Sequence, residues 1–184
     1  MKRMARRGFL GLLLALSCLC GKLLAGDISD IVLVDQEGRD VSLSSMYGQV
    51  VLLVFGFTHC PHICPVEMAR AGAALETLGD AAGQVRAVFI TVDPERDTPD
   101  VIKAYLGNFH PGFIGLTGEP ADLAAIAEHY RVKRVVLERQ NGNELVDHGY
   151  SLYLLNRQGE AETVVLPGLP PEHISGLLQE LIAE

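Results

Sequence analysis

Two cysteines four residues apart, Cys60 and Cys64, lie in the run Phe55-Gly56-Phe57-Thr58-His59-Cys60-Pro61-His62-Ile63-Cys64-Pro65. If the segment enters a helix there, positions i and i+4 share one face, so the two sulfurs can converge on one ion or bridge each other. A helix N-terminus presents N–H groups without intrahelical partners and the positive end of a dipole. Both pull a nearby thiol toward thiolate. Pro65 is tolerated because first-turn N–H groups have no intrahelical bond to lose. Chemistry alone allows three uses: a metal site, a dithiol–disulfide couple, or a disulfide that staples the helix start. The staple is the weakest of these, since closing so short a loop restricts the unfolded chain little. A Cys-x-x-Cys spacing would point to dithiol exchange, and the extra residue leaves exchange and chelation both open.

The elements that must position this pair alternate. Val50 to Phe57 is a nearly continuous β-branched and aromatic run, the pattern of a strand buried on both faces. Cys64 to Leu78 follows with Met68, Ala71, Leu75 and Leu78 at helical spacing, ended by Gly79 and Gly83. Ala87 to Val92 reads as a second buried strand. Thr98-Pro99-Asp100 reads as an N-cap with proline at the first helical position, opening a helix through Ala104 and Leu106. A third helix is expected from Pro120 to Tyr130. Upstream, Ile31 to Val34 and Val41 to Leu43 flank Gln36-Glu37-Gly38 as a hairpin. Downstream, Val132 to Leu137 and Leu145-Val146 flank Gln140-Asn141-Gly142-Asn143, a hairpin-turn signal, and Tyr150 to Leu155 pairs with Glu162 to Leu166. Pro170-Pro171-Glu172 opens a last helix with Ile174, Leu177, Leu178, Leu181 and Ile182 on one stripe. Short βα connections imply parallel central strands with antiparallel ones appended. The expected fold is α/β: a thioredoxin-like sandwich, a central mixed sheet flanked by helices, with an N-terminal hairpin and an inserted β-hairpin.

Residues 1–26 stand apart from that domain, which spans residues 27–184. Lys2, Arg3, Arg6 and Arg7 precede an almost wholly apolar run from Gly8 to Gly21. This is the pattern of a signal peptide, or of an N-terminal membrane anchor if Leu23-Leu24-Ala25 extends the run past a snorkelling Lys22. Arg6-Arg7-Gly8-Phe9-Leu10 resembles a twin-arginine signal, and Ala15-Leu16-Ser17-Cys18 is a poor lipidation site. Each route leads out of the cytoplasm, to a periplasm or the outer face of an inner membrane. The whole chain has 184 residues and a formal charge of −8, and the leader holds five of its 15 cations. The exported body is therefore more acidic still, which excludes a nucleic-acid partner and leaves membrane attachment to the N-terminus. It retains two of the four cysteines, Cys60 and Cys64.

Three motifs taken together resemble the Sco/SenC family: the cysteine run from Phe55 to Pro65, then Thr91-Val92-Asp93-Pro94-Glu95-Arg96-Asp97-Thr98-Pro99, then Val146-Asp147-His148-Gly149-Tyr150. They fall in the family's order. The resemblance implies a copper-binding, thioredoxin-like metallochaperone for the copper centre of cytochrome c oxidase, with one copper ion, Cu(I) or Cu(II), held by Cys60, Cys64 and His148. Two thiolates and an imidazole suit that ion: soft sulfur favours Cu(I), and the borderline nitrogen keeps Cu(II) bindable. Asp147 adjoins the histidine as a candidate for orienting its ring, and Asp93 ends the second central strand near the expected metal. Expected partners are a copper-receiving oxidase subunit, a second copper chaperone and a thiol reductant. The chain departs from the family at His62, where relatives commonly carry an acid, and at Gly149, where they commonly carry serine. His59 also flanks the site, whereas His110, His129 and His173 read as surface residues.

A rival reading is a thiol–disulfide oxidoreductase in which Cys60 attacks a disulfide and Cys64 resolves the intermediate, reducing oxidase-subunit cysteines. Exchangers of this fold generally set a cis-proline opposite the dithiol. Here no proline occurs from Ala121 to Leu166, and His148 stands about where one would be expected. In either case a Cys60–Cys64 disulfide removes both thiolates, so copper uptake is expected to require reduction.

Overall fold

Alternation along one strand shows how the sheet is covered. Val50, Leu52 and Val54 face one hydrophobic core, and Val51, Leu53 and Phe55 face the other, as a two-residue period requires. The structure, a computed structural model, describes residues 28–61, 63–132, 134–140, 143–148 and 151–184; for 134–140 and 143–148 the description is of the backbone. The signal or anchor expected over residues 1–26, with Cys18, lies outside the described residues, as do His62, Gly149 and Tyr150.

In chain order the elements are β1 (Val32–Asp35), β2 (Asp40–Ser42), β3 (Val50–Gly56), α1 (Ile63–Leu78), β4 (Val85–Thr91), α2 (Pro99–Leu106), β5 (Phe113–Thr117), α3 (Pro120–His129), β6 (Arg134–Gln140), β7 (Asn143–His148), β8 (Leu152–Leu155), β9 (Ala161–Val165) and α4 (Pro171–Ala183). Seven strands form one mixed sheet in the order β2-β1-β5-β4-β3-β8-β9, with β3, β4 and β5 parallel. β6 and β7 make a separate two-stranded sheet. One core lies between the sheet and α3 (Leu123, Ile126, Ala127). The other packs α1, α2 and α4 on the opposite face through Met68, Leu75, Ile102, Ile174 and Leu178. The α/β sandwich, the N-terminal hairpin and the inserted hairpin are all as expected.

Local chemistry accounts for the helix ends. Thr98 caps α2 by accepting the Val101 N–H, with Pro99 at the first helical position. Gly79 stops α1 in the left-handed region at φ 57°. One central strand was not expected: β5, which pairs with β4 in parallel and with β1 in antiparallel sense. Its five residues are broken by Gly115, where a Cβ would stand 2.2 Å from Ile102 Cγ2 and 2.6 Å from Leu106 Cδ1. Close packing of α2 onto the sheet demands that glycine.

Candidate metal centre

β3 is paired along both edges and covered on both faces by helices, and it delivers the cysteine run to the carboxyl edge of the parallel strands, where α/β sheets place their sites. The Cys60 N–H donates to the Phe57 carbonyl at 3.2 Å, so Thr58 and His59 occupy the middle of a tight turn. α1 then begins at Ile63, placing Cys64 in its first turn. Cys60 is half-buried and Cys64 is 4% exposed. The two thiols are joined by a hydrogen bond. Gly56 lies beneath them: a Cβ there would sit 3.6 Å from Cys64 Sγ and 2.8 Å from the Phe89 ring.

Burial pushes the Cys64 thiol far above its ordinary range, and the hydrogen bond with Cys60 pushes the same way, against the Phe57 N–H. Burial thus opposes the pull toward thiolate expected from the helix N-terminus. Desolvation outweighs the dipole, and an incoming ion must displace a proton from Cys64.

A carboxylate that sequence reasoning passed over fastens the turn. Asp97 is fully buried and accepts three hydrogen bonds: from the Thr58 N–H (3.0 Å), the Thr58 hydroxyl (2.6 Å) and the Thr91 hydroxyl (2.6 Å). Thr91 Oγ1 in turn accepts the Asp93 N–H at 2.9 Å. The turn after β3 is thereby tied to the turn after β4. Asp93, the acid singled out beforehand, is buried too, but its carboxylate is engaged by the Arg96 guanidinium, which stands over the Phe57 ring. The signal for Asp97 was present in Asp93-Pro94-Glu95-Arg96-Asp97-Thr98, where an acid just ahead of a helix cap reads as turn chemistry.

His59 Nδ1 lies 3.0 Å from Thr58 Oγ1 and 3.6 Å from Asp97 Oδ1. The hydroxyl's one proton goes to the carboxylate, which fixes His59 as the donor in this pair. The Tyr105 hydroxyl, on α2, is buried, has no hydrogen-bond partner among the described residues and lies within electrostatic reach of Cys64, Cys60 and Asp97.

His148 ends β7, opposite Arg134 at the open end of the hairpin, and Asp147 stands opposite Val135. The side chains of both lie outside the described residues. Backbone connectivity still bounds the histidine's place. β8 resumes at Leu152, which pairs with Val54 near the carboxyl end of β3. Four chain steps hold the Cα of His148 within about 14 Å of that of Leu152, at the sheet edge that carries the cysteines. Among the described residues, no three side chains of His, Cys, Asp or Glu come together as a metal cage.

A mixed seven-stranded sheet covered by helices on both faces, with a Cys-x-x-x-Cys turn leaving β3, one of its three parallel strands, defines a thioredoxin-like α/β protein. The family model described as SCO1/SenC matches residues 28–183, and the chain belongs to that family. Among curated relatives, it is 41% identical over 125 residues to the mitochondrial protein SCO1 homolog 1 of Arabidopsis thaliana. It is 38% identical over 129 residues to a SCO2-like protein of Rickettsia prowazekii. These matches cover 67% and 69% of this chain but 37% and 63% of the relatives, so the chain spans only part of their length. The solved structure of Bradyrhizobium japonicum ScoI with copper bound superimposes with a TM-score of 0.77 at 37% identity, covering 82% of this chain and 96% of that one.

Proposed function

We propose that this protein is a copper metallochaperone: outside the cytoplasm, it holds one copper ion between Cys60, Cys64 and His148 and passes it to an apo subunit of cytochrome c oxidase. The observation that carries the reading is the close thiol pair at the carboxyl edge of the parallel strands, the edge at which Leu152, four residues after His148, pairs with Val54 of β3. The donor set agrees, since two soft sulfurs and one imidazole take Cu(I) and still accept Cu(II). A relative alike over nearly its whole length has been solved with copper bound, and another structural relative is described as a member of the Sco family of cytochrome c oxidase assembly proteins. The charged and apolar leader supports export to a periplasm or the outer face of the inner membrane, by cleavage or as an anchor. Transfer proceeds by ligand exchange, so a half-buried sulfur and few ligands favour release. A donor chaperone supplies the ion, and a thiol reductant keeps Cys60 and Cys64 competent.

The test is copper binding by the purified, reduced chain. One copper per chain is expected, with the absorption and spin-resonance signature of thiolate ligation to Cu(II). A chain oxidised to the Cys60–Cys64 disulfide should take up none. His148→Ala should weaken copper binding by roughly 100-fold or more, since loss of a mere outer-sphere partner already costs 10–100-fold. Unchanged affinity in that variant would remove the three-ligand site. Rapid insulin reduction by a chain that binds no copper would make it the thiol–disulfide oxidoreductase instead.

A further inference from the structure

The cysteine turn carries one more donor atom that the three-ligand set does not use. The His59 side chain is 51% exposed although its Nδ1 edge is engaged. The chain of contacts starts at a buried carboxylate. Asp97 accepts the Thr58 hydroxyl, and Thr58 Oγ1 accepts the His59 Nδ1–H. The ring is thereby restrained from behind through Nδ1, and Nε2 is its remaining donor atom. A carboxylate prepares a metal-binding histidine in this way, here with one hydroxyl between them. Nε2 has no protein partner among the described residues. The next residue is Cys60, half-buried, whereas Cys64 is 4% exposed. An ion coming from solvent therefore meets His59 and Cys60 before it can reach Cys64.

We propose that His59 Nε2 and Cys60 Sγ form a capture site for Cu(I), through which the ion enters and leaves the resident site. The inference rests on the copper-chaperone reading and deepens it. Two protein donors suffice at this stage because the arriving ion still carries ligands from its donor. As the Cu–Nε2 bond forms, one bond to the donor's ligand breaks. As the Cu–Sγ bond to Cys60 forms, the thiol proton passes to solvent and the second donor ligand leaves. The ion then exchanges Nε2 for Cys64, whose proton is also lost, and for the third resident ligand. Copper stays Cu(I) throughout, and no electron moves. Delivery runs the same exchanges backwards.

The experiment uses the reduced full chain and Cu(I) presented as its bicinchoninate complex, with uptake followed by stopped-flow loss of the complex's colour. His59→Ala deletes both ring nitrogens. His59→Asn keeps an amide N–H where Nδ1 donates to Thr58 and deletes only the outward nitrogen. Both variants should take up copper at least about tenfold more slowly, equivalent to roughly 1.4 kcal/mol in the barrier, while ending at the wild-type copper content. Wild-type rates in His59→Asn overturn the proposal, since the ring would then only position the turn. A lower final copper content in both variants also overturns it, because His59 would be a resident ligand. If the wild type takes up no copper, this inference falls together with the chaperone reading. Normal wild-type uptake with unchanged variant rates sinks this inference alone.

Discussion

The two ends of the proposed copper site are built in opposite ways. The cysteine turn extends a strand paired on both sides, and it is tied by Asp97, 39 residues further along the chain, to the end of the neighbouring strand. The histidine ends a hairpin that pairs with itself and is not hydrogen-bonded into the seven-stranded sheet. A lone two-stranded ribbon is marginally stable in water and takes its order from what it packs against or binds. The fold therefore prepares the sulfurs in advance, while an ion that joins the two ends adds order mainly to the hairpin. Such a division suits a carrier. On the proposed copper reading, the sulfurs set affinity and selectivity, and release begins at the hairpin end.

The strongest way to break this comparison is hydrogen exchange with and without copper. With free copper a thousandfold above its dissociation constant, binding opposes openings that release the ion by about 4 kcal/mol. Amides of β6 and β7 should then gain up to about a thousandfold protection, a larger gain than those of β3, which the sheet already protects. Equal gains at both ends, or none in the hairpin, would show that the hairpin is not held by the metal. The next largest effect tests the other end. Asp97→Ala leaves the Thr58 N–H and two threonine hydroxyls without their acceptor, at a site where Thr91 and Asp97 are fully buried and Thr58 is half-buried. A loss of about 3 kcal/mol is expected in urea unfolding, with the slope unchanged. Less than about 1 kcal/mol would mean that the turn holds its shape through backbone geometry alone.

These two ends also differed in how far the amino-acid order disclosed them. The cysteine pair, the buried strand before it and the helix after it are local patterns, readable from hydrophobic period and spacing. The hairpin around Gln140 to Asn143 is local too, signalled by its turn residues. Asp97 was not legible as a clamp, because its partners Thr58 and Thr91 meet it only when β3 and β4 lie side by side. β5 was missed for a related reason. Gly115 looks like an interruption of Phe113-Ile114-Gly115-Leu116 until α2 is seen pressing on it. The depth of Cys64 was not legible either, because spacing reports a helix end but not how deeply a sulfur is buried, and that burial works against the pull toward thiolate.

A milder perturbation sharpens what preparation of the sulfurs requires. Gly56→Ala adds a methyl group 2.8 Å from the ring of fully buried Phe89, which has no open space to retreat into, and 3.6 Å from Cys64 Sγ. Overpacking of this kind costs about 1–3 kcal/mol. Since the strain falls at the end of β3, it should lower copper affinity as well as the unfolding midpoint, and a binding titration would report that. A stability loss with unchanged affinity would separate the sheet end from the sulfurs.

The smallest expected effect concerns another buried carboxylate, on the helix that follows the cysteines. Glu67 lies on α1 three residues past Cys64, is 3% exposed, and accepts a hydrogen bond from the Arg70 guanidinium at 2.5 Å. Burial raises its carboxyl above the ordinary range, outweighing Arg70 and the Gly168 N–H, which pull it down. The folded state thus favours the protonated acid. Its contribution to stability is complete below the unfolded carboxyl range and is lost as pH rises through the folded value. Glu67→Gln removes that dependence. From about pH 4 to 7, the urea midpoint of the wild type should fall relative to that of Glu67→Gln, and the difference should level off once the acid is ionised. A flat difference would mean that Arg70 cancels the burial cost. Glu67 would then resemble Asp97, a buried carboxylate whose hydrogen-bond donors are already in place.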